Sequence, residues 1–165
     1  MRRYAAIFVV AVAALAAAPE AVGDQPIREG LPSAPFTVDA SVCGFAVDVT
    51  IPTNREFITT FSNGKQIITG ALFATLTNTE TQKSVTVNVS GPGTIVTDAN
   101  GITTFTLRGT SLIFFLPDQL GPGEPGILLL TSGPVTLVFD QSGNILSFDR
   151  TSASVQDLCQ VLASP

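Results

Sequence analysis

The sequence predicts an all-β fold, an antiparallel meander of about 8–10 strands closing into an up-and-down β-barrel with one C-terminal helix. Three observations lead there. Short runs alternate apolar and polar residues, glycine-containing turn signals separate them, and one late stretch alone carries a helical apolar stripe. A β-sandwich is the alternative, since a meander this long must either close or split into packed sheets.

The alternation is explicit. In "FAVDVTI", Phe45, Val47, Val49 and Ile51 fall on one face; in "SVTVNVS", Val85, Val87 and Val89 do so. "FTL" (105–107) and "VTLVF" (135–139) repeat the period of two that marks half-buried strands. Asn63-Gly64 and Asn100-Gly101 each separate two such runs, and Asn-Gly supplies the two positive-φ residues of a type I′ hairpin turn. "NTETQ" (78–82) and "QSGN" (141–144) turn two further pairs back on themselves. Over 152–163, "SASVQDLCQVLA", the spacing of Val155, Leu158, Cys159 and Leu162 predicts a helix with a single apolar stripe.

Residues 1–23 read as a signal peptide, 24–36 as an extended lead-in, and 37–165 as a single β-barrel domain with its C-terminal helix. Arg2 and Arg3 precede an apolar run of 15 residues, Tyr4 to Ala18, and small residues follow before the cleavage expected after Gly23. That run is short of the roughly 20 residues of a spanning helix, although an uncleaved anchor is a competing reading. The expected location is therefore secreted, with no membrane-spanning segment after signal removal. The remaining 142 residues carry six basic and twelve acidic side chains, a net charge of −6, and contain no His, Trp, Tyr or Met. Nothing there attracts a phosphate backbone, so no nucleic-acid partner is expected. Cys43 and Cys159, an even pair in a secreted chain, read as a disulfide closing a 116-residue loop, with two buried free thiols as the alternative.

Taken together, "SVCGFAVDV", "FSNGKQIITGA", "TLTNTETQKSVTVNVSGPG" and "DLCQVL" resemble a group of small secreted actinobacterial β-rich proteins of unknown function. The resemblance covers most of the mature chain. It implies secretion and the cysteine pair, and transfers no site residue.

Several chemistries are excluded or disfavoured. Without histidine there is no Ser-His-Asp or Cys-His machinery and none of the commonest metal ligand, so no catalytic residue, cofactor or metal is expected. Lys65 and Lys83 abut hairpin turns, where a solvated lysine is ordinary. Asp48, Asp140 and Asp149 fall on polar faces or strand ends, without the aromatic platform a glycosidase would use. "DAN" (98–100) and "DQSGN" (140–144) lack the alternating oxygen ligands of a calcium loop and read as turns.

One stretch breaks the alternation: "SLIFFLPDQLGPGEPGILLLTSG", Ser111 to Gly133. "GPGEPG" matches a dinucleotide fingerprint by letter, but a β-like run follows it instead of a helix, and Pro122 and Pro125 lack N–H donors. The two apolar runs are too short to span a bilayer. As adjacent strands they place Leu112, Phe114 and Leu116 on one face and Ile113 and Phe115 on the other. Both faces are apolar, so a cover is required on each: the C-terminal helix, a second subunit, or a ligand. Leu112, Ile113, Phe114, Phe115, Leu116, Ile127 and Leu129 are therefore the candidate contact residues. The expected function is non-enzymatic, the binding of an apolar small molecule or lipid within the barrel. The alternatives are a cell-surface or envelope interaction protein that uses the apolar strand pair, a homodimer included, and a cyclase- or isomerase-like barrel acting by shape.

Overall fold

The structure, a computed structural model, describes residues 25–163; the expected signal peptide lies outside the described residues. In chain order the elements are β1 (Ile27–Gly30), β2 (Phe36–Val38), α1 (Ala40–Cys43), β3 (Val47–Thr60), β4 (Gln66–Asn78), β5 (Ser84–Asn88) and β6 (Gly93–Thr97). There follow β7 (Thr103–Leu107), β8 (Thr110–Phe115), β9 (Ile127–Ser132), β10 (Val135–Phe139), β11 (Ile145–Asp149), β12 (Ser154–Asp157) and α2 (Leu158–Ala163). All strand pairs are antiparallel, as the alternation and the turn signals require.

The hairpins stand where the sequence puts them, but their turns are of another type. Gly64, Gly101 and Gly143 have φ of 78°, 75° and 80°, whereas Asn63 and Asn100 keep negative φ. In each turn the glycine N–H donates to the carbonyl three residues back: Phe61, Asp98 and Asp140. These are type I turns closed by a left-handed glycine, not type I′. In two of the three turns the first residue's side chain explains the preference. Asp98 Oδ1 accepts from the N–H groups of Asn100 and Ile102, and Asp140 Oδ1 from those of Ser142 and Asn144. Both carboxylates thus serve as turn braces, as expected of solvated turns.

The strands run longer than their labels suggest. The β7–β10 ladder ends at Leu107↔Val135 and resumes as β8–β9 at Thr110↔Ser132 with no change of register. The Gly133 N–H donates to the Gly109 carbonyl at the join. Residues 103–139 therefore form one long hairpin bent at that point. β5 and β6 are likewise two segments of one strand, both pairing along β4 in a common register around the Val89–Leu72 bond. β3 and β4 bend at the register shift between Thr50 and Thr53, which contains Pro52. Farther along, a Cβ at Gly70 would lie 2.1 Å from the Arg55 carbonyl oxygen, so the close approach of β3 and β4 there requires glycine.

The bends divide the strands between two sheets. One has the order β1-β3-β4-β6-β7-β10-β11, with β2 added to β3 and β5 to β4; the other is β12-β9-β8. No closed barrel is found among the described residues, since the strand order of each sheet ends on two different edge strands. Two apolar layers result, an arrangement consistent with the sandwich. The first packs Val38, Val47, Val49, Ala74, Leu76 and Val87 against Leu128, Leu158 and Leu162; the second contains Ile113, Phe115, Val135 and Leu137.

The expected single helix over 152–163 is corrected. Residues 154–157 form β12, pairing Val155 with Thr131 and covering an edge of β9, and only 158–163 are helical. The free backbone of β9 outcompetes one weak turn of helix, and Val155 stays 43% exposed. Leu158 and Leu162 keep the apolar stripe and are fully buried. A second, short helix, α1, was not anticipated; Asp39 caps it and Gly44 ends it in the left-handed conformation. β1 forms inside the segment read as the lead-in, by pairing with residues 57–60 of β3.

Candidate functional site

Cys43 and Cys159 form the disulfide, with Cα atoms 5.1 Å apart, and tie α1 to α2. The seven apolar candidates occupy the β8–β9 hairpin and its exit. Ile113, Phe115 and Leu129 are buried; Leu112, Phe114, Leu116 and Ile127 are half-buried. The sidedness follows the sequence: Leu112, Phe114 and Leu116 pack into the first layer, and Ile113 and Phe115 into the second.

The cover of the second face is the chain itself, through elements that sequence reasoning did not connect. The bend at Gly109 and Gly133 folds β8–β9 back, so that Ile113 and Phe115 meet Val135 and Leu137 of the same hairpin and half-buried Phe105, Leu107 and Phe148. The Phe115 ring lies edge-to-face on Phe148 at 5.1 Å. Helix α2 belongs to the opposite face.

The loop between the two strands satisfies its own polar groups. The Gly123 N–H donates to Asp118 Oδ1 at 2.7 Å and the Asp118 N–H to the Glu124 carbonyl, while Gln119 Oε1 accepts from the Leu116 N–H. Gly126 seats this end against α1, since a Cβ there would come within 2.9 Å of Val42 Cα. These bonds and contacts account for the glycine–proline composition without a phosphate.

Two surface depressions adjoin the strands. One, of about 220 Å³, lies along β9 and β12 and is lined by Leu130, Thr131, Ser132, Ser154, Val155 and Gln156. The other, of about 300 Å³, lies along β2 and β3 and is lined by Pro35, Phe36, Thr37, Asp48, Val49 and Thr50. Among the lining residues is the half-buried Phe36, which pairs with Val49 and turns its ring into the first apolar layer, where it stacks on Phe114 at 5.4 Å. The rim of the depression is polar, with Thr37 Oγ1 donating to Asp48 at 2.7 Å. Phe114 is thus the predicted contact residue that backs this depression, while Phe36 itself was assigned to the lead-in. The alternation of Phe36 and Val38 around Thr37 was the signal that could have found it.

The acidic groups are dispersed. Among the described residues no group of three or more His, Cys, Asp or Glu could hold a metal ion. Hydrogen bonds hold three carboxyls below their ordinary range: from Ser41 to Asp39, from Asn144 to Asp140, and from Thr151 to Asp149. Burial pushes the Glu56 carboxyl above its ordinary 4.5. The folded state therefore holds this proton to higher pH than the unfolded chain does, and stability falls as pH rises from 4.5 to the raised value. Glu56→Gln should remove that loss, so that the urea midpoint of the variant exceeds that of wild type at neutral pH and converges with it in acid.

No protein family, curated protein or solved structure matches this chain.

Proposed function

We propose that this is a secreted, non-enzymatic protein that binds a small apolar or amphiphilic molecule in the depression along β2 and β3. The observation that carries the reading is Phe36, a half-buried aromatic residue lining the depression at a sheet edge beside Thr37, Asp48 and Thr50 and stacked on Phe114. An apolar base with a few polar groups at its edge suits a ligand with one greasy and one hydroxylated or cationic end. Its volume is at the lower end of the range for small-molecule sites, which favours a short chain or single ring over a whole lipid. The disulfide and the leader-like N-terminus support an oxidising, extracytoplasmic setting.

Titration with a dansylated medium-chain fatty acid, together with native mass spectrometry of protein from the natural host, tests this. Saturable binding is expected, weakened about tenfold or more by Phe36→Ala, the equivalent of losing an aromatic contact. Thr37→Lys, which leaves the ring in place, guards against a folding defect and should obstruct the same site. Absence of both saturable binding and a co-purifying molecule would overturn the reading. A surface-interaction role is the second reading, favoured by the outer face of the seven-strand ladder, where Val96 is 44% and Phe57 38% exposed among the described residues.

A further inference from the structure

One row of residues crosses that ladder from edge to edge: Arg28, Thr59, Ile67, Thr94, Thr106, Thr136 and Asp149, each paired with the next. Directly paired residues in antiparallel strands project from the same face. This face is the one opposite Phe105, Leu107, Val135 and Leu137, which point into the second apolar layer. Along the row the side chains are half-buried or exposed, and Val96 and Phe57, on neighbouring rows of the same face, are 44% and 38% exposed. Both helices pack elsewhere, on β9 and β4. Threonine methyls and hydroxyls with valine and isoleucine make a surface suited to another sheet.

The charges sit at the two ends of the row. Arg28 is held on this face by the Phe57 ring, with its guanidinium carbon 4.3 Å from the ring centroid. Asp149 occupies the far edge, exposed and fixed by the Thr151 N–H and hydroxyl. We propose that this face is a homodimer interface in which a second copy packs sheet to sheet, about a two-fold axis parallel to the strands and passing near Thr94. That axis sets Arg28 of each copy over Asp149 of the other. An axis across the strands would set Arg28 on Arg28, so charge selects the first. Seven strands about 4.8 Å apart, each about 17 Å long, would bury roughly 1,000 Å² over both copies, the lower bound for a specific interface. The predicted dimer is therefore weak and sensitive to single charges.

Sedimentation equilibrium on the full secreted chain tests the proposal. Wild type should dimerise at micromolar to sub-millimolar concentration; Arg28→Asp and Asp149→Arg should each weaken association by about tenfold, and the double swap should restore it to within about threefold. Circular dichroism confirms that each variant is folded, and Thr106→Arg, near the centre of the row, should abolish association. A wild-type protein monomeric at those concentrations overturns the proposal. So does a dimer indifferent to both charge reversals, which would be built on another surface. Neither result depends on the Phe36 depression, which lies on β2 and the start of β3, at the opposite end of that strand from Thr59.

Discussion

Cys43→Ser combined with Cys159→Ser is expected to lower the unfolding free energy by about 4–5 kcal/mol, the chain-entropy value for a loop of 116 residues. Domains of this size have net stabilities of about 5–15 kcal/mol, so the variant should be close to unfolding at 37 °C. The effect is large because the bridge joins elements that depend on each other. α1 contributes Val42 to the first apolar layer and α2 contributes Leu158 and Leu162, yet neither helix is long enough to persist alone. Urea denaturation of the oxidised protein, the reduced protein and the double variant measures this. The last two should agree, and equal midpoints for all three would show that the bridge constrains nothing the fold needs.

Phe115→Ala is expected to cost about 3–5 kcal/mol, as truncation of a buried aromatic does. The ring is 8% exposed and rests on Phe148, in the layer that joins β8 to β7, β10 and β11. Val96→Ala, at a position 44% exposed in the single chain, should change the monomer's stability by no more than about 0.5 kcal/mol. The contrast distinguishes burial by the chain's own strands from burial by a partner. Were Phe115 covered by a second copy, wild-type unfolding would depend on protein concentration, its truncation would remove that dependence, and the monomer's stability would change little.

Much of the fold was legible locally. Asn63-Gly64, Asn100-Gly101 and Ser142-Gly143 marked three hairpins, because only a few residues tolerate the left-handed position that each turn contains. Leu112 and Ile113 could be assigned to opposite faces from spacing alone. What covers Ile113 could not be. The bend at Gly109 and Gly133 preserves register, so the alternation reads identically on both sides of it, and nothing local announces that the hairpin folds onto itself. At Asn100-Gly101 the turn type was missed because Asp98 stabilises a type I turn through its side chain, a contribution that the Asn-Gly rule omits. Residues 154–157 were read as helix because Val155 happens to continue the Leu158–Leu162 stripe. The open edge of β9, which recruits them, is a tertiary feature.

The candidate depression was less legible than the fold. Its lining comes from β2, β3 and the residue before β2, and Pro32 and Pro35 made the approach to Phe36 look like a linker. Only the pairing of Phe36 with Val49 shows that the lead-in ends in a core strand.

The central claim is that the chain itself covers both faces of the β8–β9 hairpin. Aromatic nuclear Overhauser contacts of Phe115 test it most directly. The account predicts cross-peaks from the Phe115 ring to the Phe148 ring, at a centroid distance of 5.1 Å, unchanged when the protein is diluted or the interface row carries Arg28→Asp. Loss of those cross-peaks on dilution, or their absence from a folded monomer, would contradict it.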